Sequence, residues 1–302
     1  MKTELSPLAV ARRRRDTRAG WLFLLPAIIT FVVFMGLPLL MAFGLIFTDY
    51  NLVSAPKLVG LANFRRLLID PAFKGALWNT IKFFLCITPI HCILALVLAY
   101  VVSQVRHSRL RALYRGLIYF PTIVTTASVT IVWTYIFATD TGFVNYYIRS
   151  LGGVNIPWLT DKAMMYVTIA LFSAWKFIGT TFLYYFVGLQ NVPQAYQEAA
   201  MIDGASRWRT FWSVTLPLLT PTVFFVFITN MIGVFQIFEE PFFLTPNNPN
   251  TTTLALLIYN TAFRSIRIGY GSLMAVILFL IILAVTLLQF TVQRRWVNYD
   301  YE

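Results

Sequence analysis

Long apolar runs separated by short polar segments form the dominant pattern of this chain of 302 residues. Each run reaches the roughly 20 residues that an α-helix needs to cross a hydrocarbon core of about 30 Å. The pattern therefore predicts an all-α, polytopic membrane protein with about six transmembrane helices. The predicted spans run from about Trp21 to Phe47, Ala76 to Gln104, Tyr114 to Phe137, Met164 to Gln190, Leu218 to Phe238 and Gly269 to Val292.

Two local features refine this pattern. Residues 1–20 hold the arginine run Arg12 to Arg15 ahead of the first span, whose apolar length exceeds the roughly 7–15 residues of a signal-peptide core. We therefore expect a basic cytoplasmic tail over residues 1–20, an uncleaved first span and one transmembrane domain over residues 21–302. Pro121 lies within the third span, where we expect it to kink the helix.

Composition supports a membrane protein and decides its orientation. The chain is 58% hydrophobic and only 12% charged, with a mean hydropathy of +0.70, which excludes an ordinary soluble domain. Its net charge of +12 is compatible with nucleic-acid binding. The basic residues cluster beside apolar spans, however, which indicates membrane topology instead. Lys and Arg are in excess on the side that holds both termini, which predicts cytoplasmic termini. We expect a multi-pass protein of the cytoplasmic membrane, with lipid and no nucleic acid as partner.

The chain offers little for catalysis. Cys86 and Cys92 lie in one apolar span without a His or Cys pattern suited to a metal. The acidic residues are too scattered for a catalytic cluster, and no phosphate-binding loop of the Walker type occurs. We therefore expect no catalytic residue and no bound metal, and any ATP hydrolysis must come from another chain.

A polar segment over residues 191–217 interrupts the apolar pattern between spans four and five. Asn191 is suited to cap a short helix entered through Pro193, and Gly204 to close it in a left-handed conformation. Ser206 is suited to cap a second helix that ends at Pro217. A helix of roughly ten residues reaches only about 15 Å, so we expect the first one to lie along the membrane surface. Its apolar face is predicted to hold Ala195, Ala199 and Ile202.

This segment resembles the EAA signature of permease subunits in binding-protein-dependent ABC importers. The matching residues are Glu198, Ala199, Ala200, Asp203, Gly204, Ala205, Phe211, Leu216 and Pro217. In that family the loop is the coupling helix that docks into the ATPase subunit. The resemblance therefore implies that coupling to an ATPase depends on Glu198, Ala199, Ala200, Asp203 and Gly204. The alternative is an ordinary cytoplasmic loop with a helical hairpin.

The resemblance extends over nearly the whole chain, including a G-L-x-N-F element at Gly60 to Phe64. It is greatest with sugar permeases of type I ABC importers, such as the maltose and glycerol-3-phosphate permeases. It implies a second homologous permease subunit, two ATPase subunits and an extracytoplasmic solute-binding protein as partners. ATP and magnesium would be bound by the ATPase subunits, with no cofactor in this chain. A secondary transporter of a small polar solute is the alternative, although inverted repeats and broken midplane helices are not evident.

Polar residues near the end of span five are the candidates for contact with cargo. Polar groups inside a span usually face a bundle interior or a wet cavity, and aromatic faces beside amides and carboxylates suit a sugar. The candidates are Asn230, Phe235, Gln236, Glu239 and Glu240. A similar F-x-x-F-[DE] run occurs in carbohydrate permeases, although their Thr-Gly-Gly-Pro loop is replaced here by residues 245–249. The alternative is that the amides hold helices together and the carboxylates lie at the outer interface.

Span four adds two further candidates, Trp175 and Lys176. Either residue could line the transport path. A lysine about a dozen residues into a span could instead reach an interface or pair with a carboxylate of span five, and we favour this structural interpretation. His91, in span two, is predicted to be a packed and hydrogen-bonded histidine, because no partner for a proton relay is visible.

Overall fold

A computed structural model describes the backbone of residues 7–298 and the side chains of residue 17 and residues 19–298. Its helices are α1 (Pro7–Phe31), α2 (Leu37–Leu45), α3 (Ala62–Ile69), α4 (Pro71–Ser103), α5 (Ser108–Ile123), α6 (Thr126–Ile136), α7 (Phe143–Ser150), α8 (Lys162–Gln190), α9 (Gln194–Ile202), α10 (Arg207–Thr210), α11 (Leu216–Leu218), α12 (Thr220–Phe235), α13 (Glu239–Leu244), α14 (Leu254–Tyr259) and α15 (Ile268–Gln293). Strands β1 (Thr48–Asp49) and β2 (Lys57–Leu58) form one antiparallel pair. Short π-helical turns occupy Val32–Gly36, Phe211–Thr215 and Asn260–Arg264.

The predicted all-α membrane fold is confirmed. Within the described residues, five helical segments are long and apolar enough to cross a membrane, and a bent pair of helices makes a sixth. The five are Ala19–Leu45, Pro71–Ser103, Lys162–Gln190, Thr220–Leu244 and Ile268–Gln293. Of the predicted basic tail, residues 1–6 lie outside the described part of the chain, and the tail from Pro7 onwards is already part of α1.

The third span differs from its prediction. Instead of a kink at Pro121, the helix continues to Ile123 and then breaks, so that α5 and α6 meet at an angle of 95°. Val124 and Thr125 adopt extended backbone conformations at this break. Pro121 stays inside the last turn of α5, where its ring is buried. The predicted position of the kink is therefore wrong by about one helical turn.

Spans two and five are longer than predicted. The α4 helix begins at Pro71, because Asp70 accepts a hydrogen bond from the backbone N–H of Ala72 at 2.9 Å and proline suits the first helical position. Span five does not end at Phe238, since the short helix α13 extends the apolar segment to Leu244. Glu239 and Glu240 therefore begin a helix that continues the segment past its predicted end.

The described residues divide into two compact units. The first unit comprises the residues up to Arg66 together with Thr261–Val276, and the second comprises Leu67–Asn260 and the residues from Ile277 onwards.

In the first unit, the G-L-x-N-F element holds the chain where it leaves α2. Gly60 adopts a left-handed conformation with φ +57°, which glycine reaches without steric cost. Three residues later, the amide of Asn63 donates to the backbone carbonyls of Ile46 and Thr48, both at 2.9 Å. Phe64 packs against Phe47, with ring centroids 5.9 Å apart. The element therefore stabilises the chain between α2 and the β1–β2 hairpin through these hydrogen bonds and this ring contact.

In the second unit, α8 is the central helix, packed against α4, α5 and α12. Two glycines allow close approach of its neighbours. A Cβ at Gly179 would lie 2.8 Å from the carbonyl oxygen of Ile118 in α5, and a Cβ at Gly188 would lie 2.5 Å from the Thr222 hydroxyl in α12. Such distances are shorter than van der Waals contact. Helix α8 is therefore held tightly at both places.

The loop after α13, over residues 245–249, is where the resemblance to carbohydrate permeases would place a pair of glycines. Asn247 takes a left-handed conformation there with φ +58°, which asparagine tolerates better than most residues. The amide of Asn79 donates to the carbonyls of Pro249 and Thr252, both at 2.9 Å. The Tyr166 hydroxyl lies 2.6 Å from Asn79 Oδ1. These bonds tie the loop to α4 and α8.

The predicted topology is tested by cysteine labelling. With Cys86 and Cys92 replaced by alanine, Val154→Cys should react with an impermeant maleimide added outside intact cells. Ile202→Cys should react only after the membrane is permeabilised, because it lies on the side predicted to be cytoplasmic. Both side chains are highly exposed within this chain, at 81% and 85%, so burial in the chain itself does not limit labelling. Equal labelling of both in intact cells would contradict the six-span orientation.

Candidate functional site

The segment over residues 191–217 has most of the predicted geometry. Gly204 is left-handed with φ +83°, and the Ser206 hydroxyl accepts from the backbone N–H of Arg209 at 3.3 Å. Two details were predicted wrongly. Asn191 ends α8 instead of capping α9, since its N–H bonds to the carbonyl of Gly188. Pro217 does not stop the second helix, because it lies in the first turn of α11, where its missing N–H is not needed.

The end of α9 explains the spacing of the EAA signature. The N–H of Ala205 bonds to the carbonyl of Ala200 at 2.9 Å, and the N–H of Gly204 bonds to that of Met201 at 3.1 Å. This pair of bonds is a Schellman motif, which satisfies carbonyls that the helix end would otherwise leave unbonded. The motif needs a left-handed residue at the position of Gly204. Three matching residues of the signature therefore form one turn.

The surface of α9 is open. None of its residues is buried, and Glu198 and Asp203 are both exposed. The predicted apolar face of α9 is confirmed, since Ala195, Ala199 and Ile202 are all exposed. No other described part of the chain buries them. An exposed apolar helix face beside carboxylates is typical of a protein interaction site.

A second candidate site is a cavity of about 630 Å³ between α8, α12 and α13, which we call the α12 cavity. This volume is within the range of small-molecule pockets, about 300–1,000 Å³. Four predicted residues line it, namely Asn230, Gln236, Glu239 and Glu240. The side chain of Glu240 is only 6% exposed, whereas those of Gln236 and Glu239 are exposed where they line the cavity. The structure therefore brings these polar groups to one place.

A line of polar contacts crosses one wall of the α12 cavity. His91 Nδ1 lies 3.0 Å from Asn230 Oδ1, and the Asn230 amide donates to the Thr181 hydroxyl at 3.2 Å. The Ser173 hydroxyl lies 3.5 Å from both His91 Nε2 and Glu240 Oε1. His91 is 4% exposed, which confirms its prediction as a packed, hydrogen-bonded residue. These contacts join α4, α8, α12 and α13.

The two interpretations of the polar residues apply to different side chains. Asn230 bonds to two other helices, as the interhelical alternative requires, and it also lines the cavity. Gln236 lines the cavity at the end of α12 without a side-chain hydrogen bond to any described residue. Gln236 is therefore the amide that is free to meet a ligand.

Three predicted path residues lie outside the α12 cavity. Phe235 is buried against Phe84, with ring centroids 5.2 Å apart. Trp175 packs beside Trp133 at 5.7 Å. Lys176 points away from the cavity toward α5. The structure therefore does not bring these three side chains together with Gln236 in one cavity.

Lys176 instead caps the broken third span. Its side chain is 2% exposed, and its amine donates to the carbonyls of Pro121 at 3.1 Å, Thr122 at 3.3 Å and Val124. The last carbonyls of a helix have no intrahelical partner and carry partial negative charge, which a cation neutralises. The amine therefore contacts backbone oxygens and not a carboxylate of span five. Lys176 thus has structural contacts, but the two predicted ones, with an interface or with a carboxylate of span five, are wrong.

The cavity also contains residues that the sequence analysis missed. Ser173, Phe177, Thr180, Thr181 and Tyr184 line it from α8. Their spacing of three and four residues places them on one helical face. Hydroxyl groups recurring at that period through an apolar span are the signal that would have identified this face.

Comparison with known proteins identifies relatives along almost the entire chain. Residues 92–298 match the family model described as "Binding-protein-dependent transport system inner membrane component". The chain is 33% identical to the probable ABC transporter permease protein YesP of Bacillus subtilis, covering 95% of this chain and 94% of that protein. It is 34% identical to the lactose transport system permease protein LacF of Rhizobium radiobacter, over 91% and 94% of the two chains.

A solved structure has the same fold. It is a bacterial ABC transporter involved in the import of the acidic polysaccharide alginate, with a TM-score of 0.80 and 22% identity. The alignment covers 95% of this chain and 100% of that chain. The two chains therefore share their helical architecture.

The role of Lys176 predicts a specific loss of stability. Lys176→Met keeps most of the apolar stem but leaves three carbonyls without their charged donor. We expect the free energy of unfolding to fall by about 1.5–3 kcal/mol, measured by thermal or denaturant unfolding in detergent. Lys82→Met is the control and should cost about 1 kcal/mol or less, because the Lys82 amine lies over the rings of Trp78 and Tyr166 and donates no hydrogen bond to another described residue. Equal losses would contradict the capping role.

Proposed function

Because the chain belongs to the family of binding-protein-dependent transport system inner membrane components, we propose that it is the transmembrane subunit of an ATP-driven importer that carries a sugar across the cytoplasmic membrane. The observation that carries the cargo assignment is the α12 cavity, whose wall combines amide, hydroxyl and carboxylate groups with aromatic rings. The cargo is a mono-, di- or oligosaccharide, a polyol or a sugar phosphate. The lactose permease relative supports this class.

The chemistry of the cavity suits a sugar. A sugar presents apolar C–H faces and a ring of hydroxyls, and the cavity offers Phe177, Tyr184 and Phe238 for the faces. Gln236 donates and accepts, while Glu239 and Glu240 accept from hydroxyls. These hydrogen bonds hold a sugar without forming a covalent bond to it. We propose that this chain binds and releases its cargo without catalysing a reaction.

The energy for transport comes from partner subunits. We propose that two ATPase subunits bind ATP and magnesium, that a second homologous permease completes the transport path, and that an extracytoplasmic binding protein delivers the sugar. The open face of α9 docks into one ATPase subunit on the cytoplasmic side, where both termini also lie. Closure of the ATPase subunits moves α9 and reorients the spans, which exposes the α12 cavity alternately to the two sides.

A secondary transporter of a small polar solute is the competing function. The two differ in their energy source, so uptake into proteoliposomes containing the whole complex decides between them. Uptake that requires ATP inside the vesicles supports the importer. Uptake that is driven by an ion gradient without ATP would instead favour the secondary transporter.

The cargo role is tested with two amides of the α12 cavity. Gln236→Ala should lower sugar uptake about two- to tenfold, the equivalent of one lost neutral hydrogen bond of about 0.5–1.5 kcal/mol. Stimulation of ATP hydrolysis by the binding protein should survive, because we propose that this protein docks outside the cavity. The measurement pairs uptake with stimulated ATPase activity in reconstituted complexes.

Asn230→Ala is the matched comparison, because Asn230 also holds α4 and α8 to α12. It should lower the unfolding temperature of the complex as well as uptake, whereas Gln236→Ala should leave the unfolding temperature unchanged. Normal uptake by Gln236→Ala at normal expression would remove this cavity from the transport path.

The coupling role is tested at Gly204. A Cβ there meets no atom within 4 Å, so the only penalty for alanine is its left-handed backbone, about 1–2 kcal/mol. Gly204→Ala should therefore weaken the turn after α9 and reduce ATP-driven uptake while the protein remains inserted. Gly116→Ala is the control, because its Cβ also has open space and its backbone is helical. Equal activity of the two variants would contradict coupling through this turn.

A further inference from the structure

A second cavity, of about 810 Å³, borders a different face of α9 from the open one, and we call it the α9 cavity. The ends of α4 and α8, the first turns of α5, and α9 and α10 all contribute to its wall. Its charged residues are three arginines, Arg111, Arg115 and Arg207. No aspartate or glutamate lines it within the described residues.

The three guanidinium groups have no carboxylate partner in the part of the chain that the structure describes. Arg111 and Arg115 are four residues apart on α5, so their like charges face each other on one side of the helix, which is unfavourable without an anion. The Arg115 guanidinium lies over the ring of the buried Phe186, 5.0 Å from its centroid. Stacking on a ring leaves the in-plane N–H donors of arginine free to bind an oxyanion.

Neutral donors surround these charges. Gln190, Gln194 and Gln197 line the same cavity, and none of them makes a side-chain hydrogen bond to another described residue. Each amide offers two N–H donors. Three arginines and three free amides from α5, α8, α9 and α10 thus converge on one space.

The coupling residues do not line this space. Gln194, Gln197 and Met201 form the cavity face of α9, at helical spacing. At roughly 100° per residue, the face with Ala195, Ala199 and Ile202 points about a third of a turn away. A ligand in the α9 cavity therefore contacts α9 without covering its docking face.

We propose that the α9 cavity is a binding site for a phosphoryl anion, whose oxygens are held by the guanidinium groups of Arg111, Arg115 and Arg207. Arginine forks match the geometry of phosphate oxygens in two parallel hydrogen bonds. The cavity is much larger than a phosphate ion, and its volume suits a phosphoryl group that carries a larger body. A phospholipid headgroup and a soluble phosphate compound share this chemistry. Either ligand ties the first turns of α5 to α9.

Basic residues on the cytoplasmic side are common for reasons of topology alone. Arg106 and Arg109 belong to the same basic segment, are exposed, and do not line the cavity. They provide a matched control, because their replacement removes the same charge from the same part of the surface. Arg209 is the corresponding control for Arg207.

The test measures binding to the full-length chain purified in a neutral detergent. Phosphatidylglycerol is one probe, followed by native mass spectrometry with phosphatidylcholine as the neutral comparison. Inorganic phosphate is the other probe, followed by the shift in unfolding temperature. The variants are Arg111→Gln/Arg115→Gln and the control Arg106→Gln/Arg109→Gln. Arg207→Gln and Arg209→Gln form a second pair, which keeps the test valid if the first double variant fails to fold.

We expect the cavity variants to lose affinity by about tenfold or more, the effect of losing a charged hydrogen-bonding partner, and the control variants by less than about twofold. Binding of phosphatidylglycerol alone identifies a lipid headgroup as the source, and stabilisation by inorganic phosphate identifies a soluble one. Equal losses in the cavity and control variants would show diffuse surface charge and overturn the proposal. Absence of binding by the unaltered chain in both measurements would overturn it as well.

Discussion

A buried ammonium group makes the broken third span tolerable inside a membrane protein. Unbonded backbone carbonyls are costly in hydrocarbon, where water does not replace the missing donor. Lys176 supplies that donor to the end of α5, and the chain then turns by 95° into α6. The carbonyl oxygens at the helix end reduce the cost of burying the ammonium charge. The ammonium in turn reduces the cost of leaving those carbonyls without backbone donors at the bend. Each feature therefore depends on the other, and together they set where α5 meets α8.

Helix α8, which carries this lysine, also connects the two cavities. Its middle lines the α12 cavity through Ser173 and Thr181, and its last turns line the α9 cavity through Phe186 and Gln190. The helix is continuous over the whole of Lys162–Gln190. A continuous helix that lines both cavities is a physical route by which movement of α9 reaches the proposed cargo site.

Close packing restricts how α8 moves. Gly179 and Gly188 bring α5 and α12 so near that even a methyl group would collide with them. Displacement of α8 therefore displaces these helices or separates well-packed surfaces, which is costly. The loop after α13 adds a further restraint, since Asn79 and Tyr166 bind its backbone from α4 and α8. These contacts favour movement of the four helices as a group.

The sequence by itself determined the membrane class, the number of spans and the turn at Gly204, because apolar run length and backbone preference are local properties. It also identified Asn230, Gln236 and Glu240 as polar groups in apolar surroundings. Tertiary structure decided their roles, since only packing shows that Gln236 faces a cavity while Lys176 caps another helix. The break after Ile123 and the convergence of Arg111, Arg115 and Arg207 were decided in the same way. Their causes are contacts between segments distant in the chain, and a pattern along the sequence carries no distances between helices.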